Sequence, residues 1–212
     1  MKNNILKYFI LLLSVLVILI VFLSTVGIET DRFNNEIQKR VSLLNKNIDI
    51  DLKKIKLTLD PFKLKIYAKT VGTTVYFSKR PLALESIKTQ VSLSSLIKNK
   101  ISSSNIELKT KSILLNDLIK FIRTTTNKPE LFILEKIVKK GHVIIDLRLN
   151  IDENGKIIND YEIEGLIKDA SINFLNKANF KNINFNFNFQ NDNYFFNEIN
   201  FKAEGVKFTS KN

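Results

Sequence analysis

Residues 181–190 read KNINFNFNFQ. Ile183, Phe185, Phe187 and Phe189 alternate there with Asn182, Asn184, Asn186 and Asn188. A period of two places the apolar side chains on one face of a strand and the amides on the other. Such a strand belongs in an antiparallel sheet with one wet side and one apolar side.

The same alternation extends outward from this segment. Upstream, Val143, Ile145, Leu147, Leu149 and Ile151 alternate, and Asp152-Glu153-Asn154-Gly155 reads as a hairpin turn. Tyr161 and Ile163 continue, then Leu166 and Ile167, with a bulge expected at Gly165, and Ile172 and Phe174 follow. Downstream, Ile199, Phe201 and Ala203 form one strand, and Val206 and Phe208 begin another. Nearer the N-terminus, Ile48, Ile50 and Leu52 alternate, then Ile55, Leu57 and Leu59 on the opposite parity. The slip at Lys53-Lys54 predicts a bulge or bend. Asp60-Pro61 predicts a turn, followed by a strand through Phe62, Leu64, Ile66 and Ala68. Val75 to Phe77 is the next strand, closed by Lys79-Arg80-Pro81. Ile87, Thr89, Val91 and Leu93 follow and run into a short helix with Leu96 and Ile97; Ile106 and Leu108 make another strand. A helical interlude spans about 116–140. Asp117 is its expected first cap, Pro129 opens its second helix, and Gly141 is expected to end it. Roughly nine to eleven strands joined by short turns imply a mainly antiparallel meander.

Before the strands, Tyr8 to Ile28 is a run of 21 residues without a charge. As a helix it spans roughly 32 Å, against a hydrocarbon core of about 30 Å. It is longer than the apolar core of a cleaved signal peptide, and its weak Thr25-Val26-Gly27 is no clear cleavage site. Lys2 and Lys7 precede it, so the positive-inside rule keeps residues 1–7 in the cytoplasm and sends the bulk across the membrane. Thr30 is the expected cap of a membrane-proximal helix within 29–47 that carries Phe33, Ile37, Val41 and Leu44.

The chain carries a net charge of +12. Residues 1–50 hold 6 basic and 4 acidic side chains, residues 51–140 hold 19 and 7, and residues 141–212 hold 8 and 10. The excess therefore lies in the middle section, either as lysines that fill polar strand faces and keep sheet edges from aggregating, or as a charge drawn to anionic headgroups near the anchor. Nucleic acid is not an expected partner, because this section lies outside the cytoplasm and has no recognition helix or stacking motif. With no Cys and 1 His, disulfides, Cys-ligated zinc and sites needing two imidazoles are excluded. His142 has no partner at catalytic spacing. Asp146, Asp152, Glu153, Glu162 and Glu164 are spread along strand faces and make no glycosidase-like pair, and the calcium-loop ligand pattern is missing. No P-loop or nucleophile elbow occurs. The chain reads as a non-enzyme with no metal and no cofactor.

The continuous apolar face needs an occupant. Two sheets closing as a sandwich would supply one, and the protein would then be a non-catalytic assembly or scaffold factor. A curved sheet left open as a groove would instead take acyl chains. The groove candidates are Ile50, Leu52, Phe62, Leu64, Ile66, Val143, Ile145, Leu147, Leu149, Ile183, Phe185, Phe187 and Phe189.

The order of parts also carries a resemblance. The anchor and short helix are followed by IDIDLKKIKLTLDPFKLKIYAKTVGTTVYF (48–77), PLALESIKTQVSLSSLIKNKISSSNIELKTKSI (81–113) and, past the helices, DENGKIINDYEIEGLIKDASINFL (152–175). Over about residues 5–205 this resembles the beginning of AsmA-like envelope proteins of Gram-negative bacteria, which include YhdP and TamB. The shared motifs are hydrophobic patterns, such as SLSSLIKNKI leading to a strand ending near KTKSI. The resemblance implies a single-pass inner-membrane protein with its bulk in the periplasm. It implies a groove-shaped β-sheet that carries phospholipid toward the outer membrane, with no catalytic residues. The domain at 48–212 is then the membrane-proximal part of a groove. Its last strand stops at Asn212 without a closing element, so further sequence or other envelope proteins are expected to extend it.

Overall fold

The computed structural model describes residues 2–44, 47–77, 79–93, 103–126, 128–151, 157–174, 177–191 and 193–210. Helix α1 (Lys2–Thr25) contains the apolar span Leu6–Thr25, long and apolar enough to cross a membrane, and none of this span is buried within the protein. A signal sequence near the N-terminus satisfies the same length and composition. The helix ends where the N–H groups of Val26 and Gly27 both donate to the Phe22 carbonyl and Gly27 turns to φ +73°. Ile28 therefore lies outside the helix, contrary to the 8–28 boundary expected from hydropathy. It opens β1 (Ile28–Thr30), which pairs with β3 (Lys54–Asp60). Thr30 is likewise a strand residue, not the cap of α2 (Asn34–Leu44). Asn34 ties α2 to the sheet by donating from Nδ2 to the carbonyls of Leu52 (2.8 Å) and Lys53 (3.1 Å).

The remaining strands are β2 (Ile48–Asp51), β4 (Lys65–Val71), β5 (Thr74–Phe77), β6 (Arg80–Ser92), β7 (Ser103–Thr110) and β8 (Ile113–Leu114). After helices α3 (Leu115–Thr125) and α4 (Pro129–Ile137) come β9 (Val138–Ile151), β10 (Ile157–Phe174), β11 (Ala178–Gln190), β12 (Asn193–Ala203) and β13 (Val206–Thr209). All 13 join in one antiparallel sheet, ordered β1-β3-β4-β6-β7-β9-β10-β11-β12-β13, with β2, β5 and β8 attached to β5, β6 and β9. Among the described residues every extensive strand-to-strand contact is between ladder neighbours, so the sheet is open.

A line of irregularities crosses the sheet. Asp51↔Thr74 in one register gives way to Lys54↔Val71 in the next, as the slip at Lys53-Lys54 anticipated. The register also shifts between Leu84 and Ser86, between Lys168 and Ser171, and between Lys181 and Asn184. Asp169, Asn182 and Glu198 take φ of +51°, +53° and +54° along it. Each bulge removes ladder partners, and side-chain oxygens take their place. Thr70 Oγ1 accepts from the Ile87 N–H (2.9 Å) and from the Thr73 hydroxyl (2.7 Å). Thr110 Oγ1 accepts from the Ile145 N–H, and Asn184 Oδ1 from the Asp169 N–H, both at 2.9 Å. The buried polar residues Thr70, Thr73, Ser86, Thr110 and Ser171 all lie on or beside this seam.

The seam is also where the core sits. Ile50, Leu52, Ile55, Leu84, Ile119, Val138, Val143 and Ala170 are the buried apolar residues. Helix α2 packs on β2, and α3 packs on β5, β6, β8 and β9, with Phe121 edge-on to Phe77 at 6.1 Å. Several local expectations are corrected here. Leu114, with no side-chain cap bond, precedes α3, so Asp117 sits inside its first turn. Pro129 does open α4, but the helix ends at Ile137 and Gly141 lies within β9. Gly141 has φ +139° and a Cβ there would sit 2.8 Å from the Ala170 Cβ, so close strand contact fixes it. Gly165 is in register, and the β10 irregularities fall between Ile157 and Tyr161 before it and beyond Ile167 after it. Ile172 and Phe174 complete β10. Residues 152–156 and the expected helix around Leu96 and Ile97 lie outside the described residues.

Candidate functional site: the open apolar face

Residues opposite one another on neighbouring strands share a face. One row runs Ile87, Leu108, Leu147, Ile163, Phe189, Tyr194 across six successive strands. At about 4.8 Å per strand it is roughly 24 Å long. A second row runs Leu57, Ala68, Thr89, Ile106, Leu149, Tyr161. A third runs Ile145, Gly165, Phe187, Phe196. None of these residues is buried, and Tyr194 and Phe196 are exposed. Aromatic rings knit the far side together: Phe187 stacks on Phe189 at 5.1 Å, and Phe196 meets the edges of Phe185 and Phe189 at 5.8 Å. Helix α2 packs on β2, α3 on β5, β6, β8 and β9, and α1 on β3, where its last turn lines a crevice with Thr58 and Asp60.

The opposite face is polar and charged. Its central row runs Lys69, Lys88, Glu107, Arg148, Glu162, Gln190. Opposite charges meet in it: Lys88 to Glu107 and Arg148 to Glu162, each at 2.6 Å, with Arg148 also 3.3 Å from Glu164. Asn188 donates to both glutamates at 3.1 Å. The Asn188 amide, then the Arg148 guanidinium, hold the Glu162 carboxyl below the ordinary glutamate range. The Glu162 carboxylate in turn raises the Arg148 guanidinium. Cross-strand ion pairing of this kind sets register and keeps this face wet. Among the described residues no group of His and carboxylates is placed to hold a metal ion.

The sequence-predicted residues divide into three sets. Ile66, Ile145, Leu147, Leu149, Phe185, Phe187 and Phe189 lie half-buried on the open face, and Ile183, also half-buried, sits beside the seam. Ile50, Leu52 and Val143 are buried at 6%, 5% and 1% exposure and belong to the sealed core. Phe62 and Leu64 are corrected outright. They lie in the β3–β4 turn, 97% and 61% exposed, because β4 begins only at Lys65. The sequence reading also missed Tyr194 and Phe196, although their period-two spacing continues into Glu198 and marks β12. No family model matches the chain, and no curated protein or solved structure matches it.

Proposed function

We propose that the open apolar face holds acyl chains in a membrane-anchored protein of a bacterial envelope, and so contributes to phospholipid transport or outer-membrane homeostasis. The observation that carries this reading is the six-strand row from Ile87 to Tyr194, apolar along its length and left uncovered by any second layer among the described residues. A contiguous exposed apolar surface is costly in water, and proteins retain one where something binds. Burial of each CH₂ is worth about 0.8 kcal/mol, so such a face retains hydrocarbon without directional bonds. The AsmA-like order of anchor, short helix and strands supports the same reading, as do Lys2 and Lys7 at the N-terminal end of α1, which favour a cytoplasmic N-terminus and an exported sheet. The open edge of the sheet would let further strands lengthen the face.

The test is native mass spectrometry of the detergent-extracted full chain, with a photocrosslinking amino acid at Phe187 or at Asn186. Adjacent positions point to opposite faces. Phospholipid is expected to copurify and to form adducts from position 187 and not from 186. Absence of lipid, or equal labelling from both positions, overturns the proposal. Crosslinks from position 187 to protein alone would instead favour a scaffold role.

A further inference from the structure

The β3–β4 turn displays apolar side chains beside the end of α1. Asp60 Oδ1 accepts from the N–H groups of Phe62 (3.2 Å) and Lys63 (3.0 Å), a closed Asx turn. The Leu64 carbonyl accepts from the Leu93 N–H at 2.9 Å, which fastens the turn to the strand beyond. Leu64 itself sits at φ +50°, a conformation leucine rarely adopts. This rigid turn holds Phe62 at 97% and Leu64 at 61% exposure, with exposed Lys63 between them. Phe62 and Pro61 line one crevice with Ile20, Val21 and Thr25 of α1. Ile20 lies five residues before the end of the apolar span at Thr25, about 8 Å along the helix. The span itself matches the hydrocarbon core, so Ile20 lies about 8 Å inside it, within the roughly 5–10 Å that interfacial apolar side chains reach past the headgroup boundary.

We propose that this turn is a second membrane contact. When α1 crosses a bilayer, Phe62 and Leu64 enter the boundary between headgroups and acyl chains beside it. Lys63 then extends to the headgroup level, as lysines at membrane interfaces do. The occupant is the lipid surface, because the turn adjoins the one helix among the described residues whose length and composition match a bilayer, and because Lys63, the charge between the two apolar residues, suits anionic headgroups. The proposal rests on α1 acting as a retained span and is independent of what the open sheet face binds. Its consequence is orientation. Two contacts, a helix and a turn, fix the tilt of the sheet where one helix alone leaves it free to swing.

The chain has no Trp, so F62W introduces a single indole at a position whose side chain touches almost nothing. The full-length variant is reconstituted into vesicles of phosphatidylethanolamine and phosphatidylglycerol, and flotation confirms insertion. V206W, on β13 at the far edge of the sheet, is the reference. Lipids brominated near the headgroup end of their chains are expected to quench F62W severalfold more than V206W, and aqueous iodide to do the reverse. Equal quenching of the two variants by iodide in floating vesicles overturns the proposal. So does an F62W emission shielded from both quenchers, which would mean a protein contact. Failure of the wild-type chain to float removes the span on which the proposal stands, while lipid copurification reports separately on the sheet.

Discussion

The ring of Phe187 lies over Gly165 on the neighbouring strand, in the space a side chain there would need. A Cβ on Gly165 would fall 2.3 Å from the Phe187 Cζ and 2.7 Å from the Ile144 carbonyl oxygen. Volume, not backbone conformation, keeps this position a glycine. Gly165→Ala should therefore destabilise the sheet by about 1–3 kcal/mol, as overpacking does elsewhere. Urea denaturation checks the loss. Adding Phe187→Leu should recover part of it, and a double-mutant cycle measures the coupling.

The seam hydroxyls should matter more than their size suggests. Thr110→Val keeps the shape but leaves the Ile145 N–H without its acceptor, which costs about 1–3 kcal/mol. Thr110→Ser keeps the oxygen and should stay much closer to wild type. Thr70→Val should behave like Thr110→Val, since Thr70 serves the Ile87 N–H and the Thr73 hydroxyl together. Equal stability of the Val and Ser variants in chemical denaturation would contradict this account.

Most of the sheet was legible because its strands alternate, and alternation survives any tertiary context that leaves one face wet. The seam was legible at one place only, yet its signal recurs. Apolar parity changes from Ala68 to Val75, from Leu84 to Ile87, from Leu108 to Ile113, from Ile167 to Ala170, from Phe180 to Ile183 and from Phe196 to Ile199. Each change falls at an irregularity or break between strands. Read one strand at a time, such a slip looks like a strand end; read together, the slips align into a fold line. Phe62 and Leu64 misled for a related reason. Their spacing continues that of Ile66 and Ala68, but the Asp60 side chain captures two backbone N–H groups and holds the chain in a turn. Which apolar residues are sealed and which are open was not legible, because helices and solvent select the same residue types. Ile50 and Leu147 illustrate it, one under α2 and the other facing outward.

Acid should weaken the polar face through Glu162. Its folded pKa lies below the ordinary value of 4.5, first through the Asn188 amide and then through Arg148. The stabilisation is thus complete above about pH 4.5 and is lost as the pH falls through the lower folded value. Glu162→Gln should be less stable than wild type near neutrality, and the gap should narrow on acidification through this window. Thermal denaturation of both proteins across pH gives the comparison. A gap that stays constant would show that the charge of Glu162 contributes nothing.

The outer edge of β12 is a liability in solution. Among the described residues no strand pairs with its Tyr194–Phe196 stretch on that side, and no Lys or Pro stands between Asn193 and Asn200 to discourage edge pairing. Phe195 is 55% exposed on the polar face, opposite Asn188. Phe195→Lys should lower concentration-dependent association, measured by light scattering, with little change in stability. Unchanged association would mean that this edge is not the sticky surface.

Ladder order follows chain order from β3 to β13, with the short strands filling in beside their neighbours. From β3 onward each strand of the main ladder therefore finds a mate made shortly before it, and only the short strands β1, β2 and β8 wait for later partners, β3, β5 and β9. Such a sheet can be knitted from one growing margin while the polypeptide is still emerging, row upon row, with the earliest stitches next to the leading helix. Long waits for distant partners, which expose unpaired β segments to misfolding, are kept short by this topology.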